Sequence, residues 1–216
     1  MKFFPIDRTP TDFQQPITAA QLTTLCHRAL GPDQNIISAD ELATGMFNTT
    51  FLITLPDQQL ILRISPHKTA ELFASEHNLL RREYALQPYL GTISHLTPRT
   101  LFADFSRELL NRDYLFQQFL PGELWDTIQE ELTSTETNIL WTQLAHIAHQ
   151  LHQTVGTHFG FPYPEKQFTR WSDFIIDITK RMQDDLVQYG QSTADVPEFV
   201  EALQNGRAHL DQIKTP

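Results

Sequence analysis

The sequence has 216 residues, of which 40% are hydrophobic, and a net charge of −10. This length allows one large or two small domains, and the hydrophobic content favours a packed core over global disorder. The acidity argues against nucleic acid or an anionic membrane as the main partner, because both require basic surfaces.

The cellular compartment is indicated by three features. Cys26 is the single cysteine, so no disulfide framework forms within the chain and a reducing compartment is favoured. Pro5 and Asp7 interrupt the apolar N-terminus, and no run approaches the roughly 18 apolar residues of a membrane span. We therefore predict a cytoplasmic protein that is not inserted in a membrane.

The N-terminal half begins with a predicted helix and a hairpin. Residues 17–30 have helical periodicity, with Thr18 as a candidate N-cap. Two alternating runs, 51–55 and 60–64, flank a Pro-Asp-Gln-Gln turn at 56–59. This pattern predicts an antiparallel hairpin.

A long helix and a second hairpin are predicted next. Residues 69–90 read as one helix, with Glu76 and Glu83 on its apolar stripe, which is formed by Leu72, Leu79, Leu86 and Leu90. Strands are predicted at 99–105 and 112–120, and the polar link between them suits a hairpin.

Only helices are predicted in the C-terminal part, at residues 134–153, 171–189 and 197–213. Strands with helices in the first part, followed by helices alone, predict an α+β protein with two lobes. The predicted division places an antiparallel sheet in residues 1–119 and a helical part in residues 120–216.

Arg63 and Glu83 form a candidate charge pair. Arg63 shares its strand face with Ile61, and a carboxylate on the apolar stripe of a helix needs a partner. A strand cation paired with a helix carboxylate is the arrangement by which protein kinases hold nucleotide phosphates. Glu76 is a second candidate partner, and a plain hairpin and helix with surface charges is the alternative interpretation.

Six segments in order resemble the aminoglycoside phosphotransferase and choline kinase-like family, whose fold is similar to that of protein kinases. They are "LATGMFNTTFLIT", "LILRIS", "LLRREYALQPYL", "HLTPRTLFAD", "YLFQQFLPGE" and "LAHIAHQLHQT". The resemblance covers residues 38–216 and implies a protein-kinase-like bilobal fold with an incomplete helical C-lobe. Each motif is weak alone, and their shared order and separations carry the resemblance.

The resemblance implies roles for residues of this sequence. The loop residues Gly45, Met46, Phe47, Asn48 and Thr49 would lie over the triphosphate of ATP or GTP. Arg63 would contact phosphates, held by Glu83, and Ile61 would pack on the base. Gln118, Phe119 and Leu120 would present hinge backbone groups to the edge of the base. Arg63 stands where kinases more often have lysine, which puts the nucleotide affinity in question.

A catalytic carboxylate and Mg²⁺ ligands are also required for phosphoryl transfer. The single tempting match is "HLDQIKTP", with His209 and Asp211, but no glycine precedes the aspartate and Pro216 stands where the family has asparagine. We therefore expect no catalytic residue and no metal ligand in these 216 residues, a chain truncated before the catalytic loop, and Mg²⁺ ligands from a C-terminal part.

Three functional hypotheses follow. The first is an ATP-dependent phosphotransferase that transfers the γ-phosphate to a hydroxyl of a small molecule, with this chain inactive alone. The second is a non-catalytic kinase-like module that binds nucleotide or acts as a scaffold, and the third is an unrelated α+β interaction domain. Nucleotide binding separates the first two from the third, and the downstream coding sequence separates the first from the second.

Overall fold

The structure is a computed structural model, which describes residues 1–9, 12–43, 45–162 and 165–216. The chain divides into two compact units, each built from two segments. The first unit comprises residues 1–70 and 90–151, and the second comprises residues 71–89 and 152–216. The predicted functional division at residue 119 stays a prediction.

The first unit contains a sheet whose described strands are β1 (Lys2–Phe4), β2 (Ser38–Leu42), β3 (Thr49–Thr54), β4 (Gln59–Ile64), β5 (Thr100–Asp104) and β6 (Tyr114–Gln118). The strand order is β1-β2-β3-β4-β6-β5, and β1 pairs parallel to β2 while the other pairs are antiparallel. Both predicted hairpins are confirmed. The sheet is mixed rather than purely antiparallel, because β1 adds a parallel edge that the sequence pattern did not indicate.

The helices of the described residues are α1 (Ala19–Leu30), α2 (Leu79–Leu86), α3 (Trp125–Ile128), α4 (Ser134–Leu151), α5 (Trp171–Gln188), α6 (Val196–Asn205) and α7 (Arg207–Leu210). Short 3-10 turns occupy Gln87–Tyr89 and Gly91–Leu96. The predicted α+β class is confirmed. Within the part of the chain that the structure describes, none of these helices combines the length and apolarity needed to cross a bilayer.

One face of the sheet forms the core with α1. Leu22, Leu25 and Cys26 of the helix are fully buried in one cluster with alternate strand residues, namely Phe51, Ile53, Leu60, Leu62, Ile64, Tyr114 and Phe116. Burial raises the pKa of the Cys26 thiol to about 12, so this side chain is a neutral core residue at physiological pH. The alternation leaves the opposite sheet face available for a site.

The N-terminus of α1 is closed by a capping box. The Gln21 N–H donates to Thr18 Oγ1 at 3.2 Å, and the Thr18 N–H donates to Gln21 Oε1 at 2.8 Å. We expect Thr18→Ala to lower the free energy of unfolding by about 1 kcal/mol, measured by urea denaturation. Thr24→Ala is the matched control, because Thr24 is exposed inside the helix and alanine favours helix. Equal losses in both variants would contradict the role of the cap.

Residues 69–90 are not one helix, which corrects the prediction. Helix α2 covers only Leu79–Leu86, and its N-cap Asn78 is left-handed with φ 60°. Gln87 keeps helical dihedrals (φ −53°, ψ −41°), but Pro88 has no N–H to continue the α-helical hydrogen bonds, and the chain goes on in 3-10 turns. The predicted leucine stripe is therefore broken, and Leu86 is 45% exposed. The buried residues of α2 are instead Leu80 and Arg82.

The predicted helix at 197–213 is also divided. Helices α6 and α7 are separated by Gly206, a residue with low helix propensity. Helix α4 agrees with its predicted span, but none of its side chains is buried. The predicted apolar face of α4 (Leu140, Leu144, Ile147, Ala148 and Leu151) is therefore at most partly covered.

The second unit is organised around Arg82. Its guanidinium donates to Glu165 Oε1 at 2.9 Å and 3.2 Å and to the Ser75 carbonyl at 2.5 Å, and it lies 4.3 Å from the Phe161 ring centroid. Asp185 also fixes the 71–89 segment, since its Oδ2 accepts from the Ala74 N–H at 2.9 Å. These contacts join two parts of the chain that are distant in sequence.

Candidate functional site

The loop between β2 and β3 carries the predicted glycine. Gly45 is half-buried, and a Cβ at this position would lie 3.1 Å from the Asn48 carbonyl oxygen, so a larger residue would crowd the turn. Met46 is 78% exposed, and Phe47 and Asn48 are half-buried. Within the described chain, no backbone acceptor contacts the N–H groups of Met46, Phe47 or Asn48. Three such donors in one short loop suit an anionic ligand.

Thr49 differs from the other loop residues. It begins β3, is 1% exposed, and its hydroxyl donates to the Gln15 carbonyl at 3.0 Å. Its side chain therefore anchors the end of the loop. Its predicted contact with a nucleotide stays a prediction and would involve the backbone.

Arg63 and Ile61 lie on the sheet face opposite to the α1 core. Both are half-buried, whereas Leu60, Leu62 and Ile64 are buried, which confirms the predicted alternation of β4. Ile61 lies opposite Leu52 on β3, and Arg63 lies opposite Thr50. Ile61 and Leu52 thus form an apolar patch next to the Arg63 cation. Such a pair of surfaces suits a ligand with an apolar ring at one end and anionic groups at the other.

Gln117 is a neighbour of Arg63 that the sequence analysis did not identify. It lies on β6 opposite Ile61, is 3% exposed, and its Oε1 accepts from Arg63 Nη1 at 3.3 Å. This amide is neutral, so the contact orients the guanidinium without cancelling its charge. The alternation of β6 places Leu115 and Gln117 on the sheet face that carries Arg63. This alternation was the sequence pattern from which Gln117 could have been predicted as a neighbour of Arg63.

The predicted hinge residues lie at and directly after the end of β6. Gln118 is the last residue of the strand, and its N–H donates to the Arg99 carbonyl at 2.9 Å. Phe119 is half-buried and Leu120 is 40% exposed. Because the Gln118 N–H is already used, its carbonyl and the backbone groups of Phe119 and Leu120 remain the candidates for contact with a base.

The two predicted carboxylate partners of Arg63 belong to the second unit, whereas Arg63 belongs to the first. Glu83 lies half-buried on α2, and its pairing with Arg63 stays a prediction. Glu76 Oε2 accepts from the Phe73 N–H at 2.9 Å and so closes a local turn. The pairing of Glu76 with Arg63 also stays a prediction.

The described residues fit a nucleotide better than they fit a metal. The loop donors and the half-buried Arg63 suit phosphates, and Ile61 and Leu52 suit a base. Nowhere in the described ranges do three or more His, Cys, Asp or Glu side chains converge as metal ligands. We therefore derive no step through Mg²⁺ from these residues.

The segment with His209 and Asp211 lies at the end of α7. Asp211 follows that helix, and its Oδ1 accepts from the Ser172 N–H at 3.2 Å. Hydrogen bonding from Ser172 holds the pKa of the Asp211 carboxyl below its ordinary value. This contact ties the helix end to α5, and the expectation that Asp211 is not catalytic stays a prediction.

Comparison with known proteins defines the class of this protein. A model of the phosphotransferase enzyme family matches residues 38–212. The chain belongs to this phosphotransferase enzyme family, and the predicted relationship is confirmed. No curated protein matches the chain significantly.

Two solved structures are similar to this chain. A protein named as a fructosamine-3-kinase from Haemophilus somnus 129PT has a TM-score of 0.58 and 16% identity, covering 88% of this chain and 61% of its own. A protein named as an aminoglycoside phosphotransferase from Ralstonia eutropha JMP134 has a TM-score of 0.36 and 18% identity. That match covers 50% of this chain and 30% of the other protein's chain. The chain thus spans about three-fifths of the first structure's length. The first match confirms the protein-kinase-like fold.

Proposed function

We propose that this chain is the nucleotide-binding part of an ATP-dependent small-molecule phosphotransferase. The proposal rests on the half-buried sheet face that carries Arg63 and Ile61. On this face Gln117 orients Arg63, and the apolar side chain of Ile61 lies beside it. The loop from Gly45 to Asn48, whose N–H groups at residues 46–48 contact no backbone acceptor among the described residues, precedes the adjacent strand β3. Family membership supplies the reaction class.

The proposed reaction is transfer of the γ-phosphoryl group of ATP or GTP to a hydroxyl. The hydroxyl oxygen of the acceptor bonds to the γ-phosphorus, the bond to the β–γ bridging oxygen breaks, and the nucleoside diphosphate leaves. The hydroxyl proton is accepted by a carboxylate that is not one of the candidate site residues named in the preceding subsection. Loop N–H groups and Arg63 stabilise the charge on the phosphates, while Ile61 and the hinge residues Gln118 to Leu120 hold the base.

Calorimetric titration of the purified chain with MgATP tests this proposal. We expect saturable one-to-one binding that raises the melting temperature, because a ligand that binds the folded state alone stabilises it. MgGTP in a parallel titration reports base preference, and adenosine reports the contribution of the nucleoside without its phosphates. An absence of binding for both nucleotides would contradict the proposed function.

A non-catalytic nucleotide-binding module is the second candidate. It is favoured by the sequence, which has no His-x-Asp segment followed five residues later by asparagine. Both candidates predict that the chain binds MgATP without transferring phosphate. The complete coding sequence of the source gene distinguishes them, since only the phosphotransferase requires a catalytic aspartate and metal ligands.

A further inference from the structure

We propose that the N-terminal segment Phe13–Gln15 is a strap that positions the loop Gly45–Thr49 and thereby sets the affinity for nucleotide phosphates. The inference rests on the proposed function and extends it to residues outside the matched range 38–212. Gln14 is its central positioning residue. The evidence lies entirely within the first unit.

Three contacts join the strap to the loop. The Gln14 side-chain amide donates a short hydrogen bond to the Gly45 carbonyl, and the Phe13 ring lies 5.3 Å from the Phe47 ring, centroid to centroid. The Gln15 carbonyl accepts from the Thr49 hydroxyl at 3.0 Å. The strap therefore contacts the beginning, the middle and the end of the loop.

The strap is itself held in place. Gln14 is 8% exposed, and the buried Arg112 donates from Nη1 to the same Gln15 carbonyl at 3.0 Å. Arg112 lies two residues before β6, whose first residue, Tyr114, pairs opposite Ile64. The sheet framework thus fixes Gln15, and Gln15 fixes Thr49.

These contacts affect the loop without occupying its ligand groups. They use the Gly45 carbonyl, the Phe47 ring and the Thr49 hydroxyl, and they leave the N–H groups of residues 46–48 available. A loop ordered before binding loses less conformational entropy when the ligand arrives. The strap should therefore increase affinity for the part of the ligand that the loop contacts, which is the phosphates.

The test compares Gln14→Ala with Gln15→Ala. Gln15 contacts Thr49 and Arg112 through its backbone carbonyl, which alanine retains, and its side-chain amide donates to the Asp12 carbonyl rather than to the loop. Gln15→Ala is therefore a matched control, one residue away, that also loses one side-chain hydrogen bond. We expect Gln14→Ala to weaken MgATP binding about three- to tenfold, the effect of one lost hydrogen bond, while Gln15→Ala binds like wild type. Affinity for adenosine should be equal in all three proteins, whereas a merely structural defect would lower it too.

Amide hydrogen exchange provides a second readout. The amides of residues 45–49 in nucleotide-free Gln14→Ala should exchange faster than in wild type, with the β4 amides unchanged. If Gln14→Ala lowers the melting temperature, Gln14→Met replaces it, because methionine keeps the side-chain length and lacks the amide that donates to Gly45. Phe13→Leu, at a half-buried position, tests the ring contact independently with the same expected loss.

The outcomes separate the strap from the proposed function. If wild type binds MgATP and the Gln14 and Phe13 variants bind it equally well, the strap is refuted and the proposed function stands. If wild type itself binds no nucleotide, the proposed function is refuted and the strap's role in affinity is refuted with it. Equal losses for MgATP and adenosine would also overturn the positioning role.

Discussion

Replacing Arg63 with alanine is expected to weaken MgATP binding about 10- to 150-fold, the range for losing a charge-assisted hydrogen bond. Arg63 is half-buried on the sheet face opposite to the core, and Gln117 orients it through a 3.3 Å contact to Nη1. A partly desolvated cation attracts phosphate more strongly than one in bulk water. Calorimetric titration of wild type and variant gives the ratio of dissociation constants.

Two further variants separate the effect of losing a positive charge from the effect of losing Arg63 itself. Lys2→Ala also removes one positive charge, but from the edge strand β1, which two strands separate from β4, so we expect unchanged affinity. Arg63→Lys should retain part of the affinity, because lysine keeps the charge but lacks the planar fork. An Arg63→Ala protein that is folded and titrates like wild type would exclude Arg63 from the nucleotide site.

Replacing Arg82 with alanine is expected to lower the free energy of unfolding of the second unit by about 3–5 kcal/mol. The Arg82 side chain is 7% exposed and its partner Glu165 is 17% exposed, and the variant leaves that carboxylate partly buried without its main cation. It also removes the hydrogen bond to the Ser75 carbonyl and the contact with the Phe161 ring. Denaturant unfolding followed by Trp171 fluorescence, in a background with Trp125→Phe and Trp141→Phe, measures the effect in this unit.

Arg170→Ala is the matched control for Arg82. Arg170 also forms an ion pair in the second unit, at 2.8 Å from Asp173, but its side chain is 56% exposed, so we expect a loss below about 1 kcal/mol. Combining Arg82→Ala with Glu165→Ala should cost less than the sum of the single variants, because the pair is removed together. Similar losses for Arg82→Ala and Arg170→Ala would show that burial of the pair contributes little.

The sequence predicted those parts of the fold that local pattern determines. The alternation around the Pro-Asp turn indicated β3 and β4 and the outward position of Arg63, and both are confirmed. The capping residue Thr18 was also identified, because a capping box involves residues three apart. The family motifs indicated the kinase-like fold. That prediction depended on the order of the motifs rather than on any single residue.

The parts that were missed depend on long-range contacts. The spacing of Leu72, Leu79, Leu86 and Leu90 imitates a helix, but the chain before Asn78 is fixed by Asp185, more than 100 residues later. The burial of Arg82 similarly depends on Glu165. Gln14 contacts Gly45 across 31 residues, and no local pattern indicates this contact.

The central claim, that the outer face of β4 and the adjoining loop bind a nucleotide, is tested most directly by backbone NMR during titration with MgATP. We expect the largest amide shift changes at Gly45 to Thr49, Ile61, Arg63 and Gln118 to Leu120, with small changes in α1. Shift changes that saturate elsewhere and leave the loop and β4 unchanged would contradict it.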